Sequence, residues 1–305
     1  MSSALRGILL KLASVVLFVV MSAMIKATAP EVPPGEAVFF RSFFAMPVIL
    51  VWLWGRHDLT TGLKTSNPLG HLWRGLIGVT AMGFTFAGLG LLPLPEVTAI
   101  GFAAPLLTVI FGAVLLGEKV RMFRMSAVAA GLVGVSIIIW PRLSVDAATQ
   151  AATLGAMFVL LSCVFRALAQ IQIRRLVAKE ETSAIVFYFS LTSSLLALLT
   201  LPWGWIVPDP KQAVLLVGAG VLGGIAQILI TSAYRFGEAG LLAPFDYAAM
   251  LFALVIGYAV FGEVPTAPML AGAAIVIAAG VLIIWRERQL GLKRGRARAG
   301  LTPQG

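Results

Sequence analysis

Apolar runs of about twenty residues, the length a membrane span needs, alternate along the chain with short segments rich in proline, glycine or charge. In order they are Gly7–Ala27, Ala37–Trp54, Leu72–Leu92, Glu96–Leu116, Phe123–Trp140, Ala152–Ile173, Ser183–Trp205, Lys211–Tyr234, Gly240–Phe261 and Ala267–Trp285. As helices rising 1.5 Å per residue, runs of this length cross a hydrocarbon layer of about 30 Å. The pattern predicts an all-α membrane protein with ten transmembrane helices. The first run has no small-residue cleavage site close behind a short apolar core, so it reads as an uncleaved span. Gly55–His71 is the longest internal loop, and the polar tail is expected to be irregular beyond Leu292.

The runs divide into two sets of five. A shift of 145 residues lays Gly117-Glu118 on Gly262-Glu263, Ile138-Ile139-Trp140 on Ile283-Ile284-Trp285, Gly78 on Gly223 and Gly112 on Gly257. In the early spans a shift of 148 pairs Ser14 with Ser162, Ser22 with Gln170 and Lys26 with Arg174. The predicted units are residues 1–143 and 144–286, followed by a basic tail, 287–305. Five is odd, so the second unit enters the membrane upside down. Inverted repeats with polar groups near the midplane are the layout of alternating-access carriers.

Charge sets the expected orientation. With the amino end in the cytoplasm, Lys and Arg between the spans or near their ends, Lys11 and Arg74 among them, fall almost wholly on that side; Lys26, Arg142 and Lys211 lie opposite, and Arg41 and Arg166 lie within spans. Both termini are therefore expected in the cytoplasm. The net charge of +10 then calls for anionic membrane lipid as partner and for no nucleic acid. Composition agrees: 59% of the residues are hydrophobic and 12% charged, with mean hydropathy +0.97, which excludes an ordinary soluble domain. One cysteine, Cys163, and two loop histidines, His57 and His71, offer no metal set, and no cofactor is expected. No phosphate-cradling loop or nucleophile elbow occurs, so no enzymatic activity is expected.

The segment Phe40-Arg41-Ser42-Phe43-Phe44-Ala45 in span two, the Gly-Glu pairs closing spans four and nine, and Ala243-Pro244-Phe245-Asp246-Tyr247 together resemble the EamA-type drug/metabolite transporters. The resemblance covers about residues 7–285, and the Asp246 segment is similar to a bacterial branch described as carrying metabolites such as riboflavin or S-adenosylmethionine. It implies a secondary transporter of a small organic metabolite in the bacterial cytoplasmic (inner) membrane, as monomer or homodimer. A facilitative, channel-like carrier and a flippase for a lipid-linked substrate are the alternatives. Pro105 departs from the repeat, because Met250 stands at its counterpart and the second-half proline is Pro244.

Charged groups at membrane depth mark candidate substrate contacts. Arg166 in span six, with Gln170 one turn on, and Asp246 in span nine, beside Pro244, are the leading ones, and an Arg166–Asp246 contact is expected. Gln227 and Tyr234 of span eight add polar groups, although interhelical hydrogen bonding serves a membrane glutamine equally well. Tyr247, Phe84 and Phe86 are candidates for an aromatic wall. Arg41 reads either as an anion contact at the outer mouth or as a helix-end anchor paired with Glu36 or Glu96. Glu118 and Glu263 read as architectural, each held by a specific donor. Gly131, Gly134, Gly272 and Gly280 suit close helix packing, within the chain or in a dimer.

Overall fold

In the computed structural model, residues 3–117, 120, 122–142, 147–177, 180–236 and 239–299 are described. The chain is helical: α1 (Ser3–Thr28), α2 (Pro34–Phe43), α3 (Ala45–Gly55), α4 (Leu59–Gly62), α5 (Pro68–Leu91), α6 (Leu94–Gly101), α7 (Ala103–Leu116), α8 (Met122–Ile139), α9 (Ala147–Val177), α10 (Thr182–Leu198), α11 (Pro210–Phe236), α12 (Ala239–Leu242), α13 (Ala248–Phe261) and α14 (Ala267–Ala299). Among the described residues no strand occurs. Nine stretches of the described residues are long and apolar enough to cross a membrane, and Ser183–Leu198 is a shorter apolar helix. The ten expected spans are present. The last helix runs on to Ala299, so the tail expected to be irregular is helical there.

Prolines set where the helices stop. A proline has no N–H to give to the carbonyl four residues back, and α2 ends at Phe43, α6 at Gly101 and α10 at Leu198, four residues before Pro47, Pro105 and Pro202. Span two, expected to be continuous, is therefore broken at Phe44, and span four at Phe102. Span seven stops short of the expected Trp205. Its following turn is folded back by Gly204 at φ +82°, and Trp205 packs on Phe39 with ring centroids 5.4 Å apart. Span nine carries its own break, a 3-10 turn over Ala243–Tyr247 that contains Pro244.

Starts and ends follow local chemistry. Asn67 accepts a 2.9 Å hydrogen bond from the Gly70 amide at the head of α5, where Pro68 takes a first-turn position. Asp209 and Gln212 exchange hydrogen bonds at the head of α11. α7 and α13 each end on a left-handed glycine, Gly117 at φ +66° and Gly262 at φ +65°, a conformation that penalises any Cβ. The repeated Gly-Glu signature thus begins with the same helix cap in both halves.

The two halves pack by pairing each span with a partner from the other. α1 lies along α11, α5 along α9, α8 along α14, α2 against α10, and α6 against α13. Spans one and eight, and spans three and six, exchange roles under the repeat, as a pseudo-two-fold arrangement of inverted halves demands. Close approach is built into the α8–α14 seam. A Cβ on Gly134 would sit 2.8 Å from the Gly272 carbonyl oxygen, and one on Gly272 would sit 2.5 Å from that of Gly134. These glycines serve packing inside the chain.

Candidate functional site

The breaks in spans four and nine face each other. Phe102 and Tyr247 occupy equivalent positions under the 145-residue shift, and their rings meet edge to face at 5.0 Å between centroids. Tyr247 extends over Gly280 of α14, where a Cβ would overlap its hydroxyl. Gly101, the counterpart of Asp246, borders Arg166, whose terminal nitrogen lies 3.2 Å from where a Cβ on Gly101 would be. The thiol of Cys163, fully buried, points to the carbonyls of Ile100 and Gly101. Arg166 and Asp246 therefore flank the aromatic pair, one at each break.

They do not bond to each other as expected. Asp246 takes Lys11 of α1 instead, with Nζ 2.7 Å from Oδ1. The Lys11 side chain is 1% exposed and that of Asp246 50%, so the cation is enclosed and the carboxylate faces open space. No ion pair joins Arg166 to a carboxylate among the described residues, and Arg166 and Gln170 are both exposed. Lys11 escaped the sequence reading because it was counted with the cytoplasmic positive charges. Its position four residues inside the run Gly7–Ala27 was the available signal.

A second polar group sits between spans two, three, seven and eight. Arg41, 6% exposed, has its guanidinium carbon 5.9 Å from the centre of the Phe189 ring, and that of Arg74 is 4.1 Å from the same ring. Nε of Arg41 and Nε and Nη1 of Arg74 are enclosed with no hydrogen-bond partner among the described residues, as are the hydroxyls of Ser42 and Ser193. Neither anchor expected for Arg41 is used. Glu36 accepts the Ile206 amide at 3.1 Å, and Glu96 pairs with Arg142. A desolvated cation–π contact is worth about 2 kcal/mol or somewhat more, against several kcal/mol for taking each charge out of water. One aromatic ring does not compensate two cations. Gln227, half-buried on α11, lies one turn beyond Gly223, whose missing Cβ leaves room for Arg41. Like Lys11, Arg74 lies within a predicted span, Leu72–Leu92, and by sequence counts among the cytoplasmic charges.

Each end of the bundle is tied. On the face where α1 ends, Lys26 bridges Glu263 at 3.0 Å and donates to the carbonyls of Leu89 and Leu92. Glu263 also accepts the Leu94 amide at 2.8 Å, the specific donor from the other half that its helix-end position calls for. On the face where α1 begins, Glu180 accepts from the amide and hydroxyl of Ser66 at 2.9 and 2.8 Å and lies 3.2 Å from His71 Nε2. Burial alone raises this carboxyl, but the Ser66, His71 and Thr65 hydrogen bonds outweigh it and hold it down to about 2. Phe86, 4% exposed, lines an apolar cleft of 270 Å³ between α1, α2, α5 and α9, remote in character from the charged groups. Phe84 stacks on Phe158 and Phe165. Glu118 and the side chain of Tyr234 lie outside the described residues.

With that geometry in view, the chain matches the profile of the EamA-like transporter family twice, over residues 5–140 and 153–285. It is 27% identical over 287 residues to the S-adenosylmethionine uptake transporter of Rickettsia prowazekii (strain Madrid E), covering 93% of this chain and 94% of that one. It is 28% identical over 278 residues to the pseudopaline exporter CntI of Pseudomonas aeruginosa (strain UCBPP-PA14), covering 91% and 95%. A crystal structure aligned over 100% of this chain and 99% of its own has a TM-score of 0.67 at 21% identity, which shows a shared fold.

Proposed function

The chain belongs to the EamA-like transporter family, and on that premise we propose that it is an inner-membrane secondary transporter moving a small, polar organic metabolite by alternating access. The observation that carries this reading is the meeting of two broken helices, one from each repeat, at Phe102 and Tyr247, with Arg166 and the Lys11–Asp246 pair beside them. Broken spans at a repeat interface are where carriers place substrate and coupling ion. In this reading Arg166, Gln170, Gln227, Asp246, Tyr247 and Arg41 contact the solute along its path, and Phe86 lies at the mouth. The termini are cytoplasmic, so Lys26–Glu263 closes the outer end. The cycle opens that latch while the opposite end closes. Asp246, half-exposed and held by a buried lysine, is the candidate coupling group.

The named relatives include one uptake carrier and one exporter, so family membership supports an organic metabolite and leaves direction to measurement. A metabolite-library thermal-shift screen on the purified protein, followed by liposome flux of each hit with and without a proton gradient, tests the proposal. At least one hit is expected to cross, and gradient-driven accumulation identifies proton coupling. Flux without accumulation under any gradient supports the facilitator. Hits that bind and never cross overturn the transporter reading in favour of a flippase.

A further inference from the structure

We propose that Arg41 and Arg74, held against the one ring of Phe189, form an anion subsite that receives the carboxylate or phosphate group of the transported solute. The inference deepens the transporter reading and rests on it. Two cations repel each other here, and the guanidinium carbons are no farther apart than the sum of their distances to the shared ring. Such an arrangement is unfavourable unless something negative is taken up between them. Among the described residues no carboxylate pairs with either guanidinium, and four acids of the bundle are engaged elsewhere. Glu36 holds the Ile206 amide, Glu96 holds Arg142, Glu263 holds Lys26 and Asp246 holds Lys11.

The surroundings are shaped for the two side chains. A Cβ on Gly78 would lie 2.2 Å from Arg74 Nη1 and 2.6 Å from the Phe189 ring, and a Cβ on Gly223 would lie 3.3 Å from Arg41 Nε. Gly78 and Gly223 are the glycines that the 145-residue shift superimposes. Arg41 and Phe189 are themselves equivalent under the 148-residue shift that relates the early spans, the register that also sets the starts of α2 and α10, Pro34 and Thr182, on each other. The subsite thus lies across the interface between the inverted halves, where a carrier exposes its solute to each side in turn. Planar guanidinium groups with free N–H donors match the paired oxygens of a carboxylate or a phosphate. With Arg41 only 6% exposed, the anion belongs to a solute entering the bundle rather than to a lipid headgroup at its surface.

Benzoate, phenyl phosphate and neutral benzamide are the probes, read by the thermal midpoint of the full chain in zwitterionic nanodiscs. Benzoate or phenyl phosphate at millimolar concentration is expected to raise the wild-type midpoint, with the stronger of the two identifying the group preferred, while benzamide has no effect. Arg74→Gln and Arg41→Gln are expected to abolish the rise, and Arg142→Gln to keep it. Arg74→Lys retains a cation without the fork and is expected to weaken the better probe by about tenfold, which gives a readout even if a neutral variant does not fold. Equal rises in wild type and in Arg74→Lys or Arg74→Gln, or no rise in wild type with either anion, overturn the proposal. Liposome flux separates it from the reading beneath it. A solute carried at unchanged rate by Arg74→Gln overturns the anion subsite alone, whereas anion binding without flux of any solute overturns the carrier and leaves the subsite standing.

Discussion

At Asp246 the decisive fact is the partner. A buried lysine whose carboxylate is neutralised loses the opposite charge at 2.7 Å, so Asp246→Asn is expected to destabilise the protein by about 2 kcal/mol, less than the full penalty for a buried pair because the carboxylate is half-exposed. The double variant Lys11→Met/Asp246→Asn is expected to recover most of that loss, whereas Arg166→Gln in place of Lys11→Met recovers none. Thermal melts of the four proteins in detergent decide it. Glu180 gives a pH-dependent counterpart outside the membrane spans. Its carboxyl is held at about 2 against an ordinary 4.5. The lowered value means that its stabilisation is fully present above pH 4.5 and is lost as pH falls from there toward 2. Glu180→Gln is expected to cost roughly 2 kcal/mol at neutral pH and to flatten this acid limb. An unchanged acid limb in the variant would show that Glu180 does not tie the Ser66 loop to the second half.

Helix by helix, two kinds of residue decide the outcome. Proline decides where a span is interrupted, and glycine decides how closely two spans approach. In the α8–α14 seam each glycine of the Gly134/Gly272 pair looks onto the other's backbone carbonyl, and backbone cannot step aside as a long side chain does. Gly272→Leu is therefore expected to cost about 3 kcal/mol through overpacking, read as a lowered midpoint of thermal aggregation. Gly83→Ala, in α5 with nothing within 4 Å of the added carbon, is expected to be neutral or to stabilise by up to about 1 kcal/mol. Since alanine and leucine both favour a helix over glycine, a similar loss at both positions would mean that close approach in the seam does not set the cost.

The whole molecule is a bundle of two interleaved halves, each span packed on one from the other half, so neither half buries its own apolar face alone. Inverted insertion makes a simple prediction. Reporter fusions at Asp146 and at the carboxyl end are expected to be active in opposite compartments, with the carboxyl end in the cytoplasm. Activity of both fusions on one side would refute the inversion.

The sequence by itself determined the class, the ten spans, the doubling and the family. Apolar run length, Gly-Glu caps and glycine register are local or periodic properties, and they survive without knowledge of what touches what. It also marked the special stretches, since Arg41, Arg166, Asp246 and Pro244 stand out as polar or helix-breaking residues within apolar runs. Partnership was decided only by tertiary packing. Lys11 and Asp246 are 235 positions apart in the chain, and which cation a carboxylate takes depends on how α1 crosses the broken span nine. The same holds for Arg74, whose place beside Arg41 exists only because Phe189 of the other half lies against both. Charge near a span end reads identically whether the side chain reaches out to water or turns inward, and the packing of the neighbouring helices settles which it does.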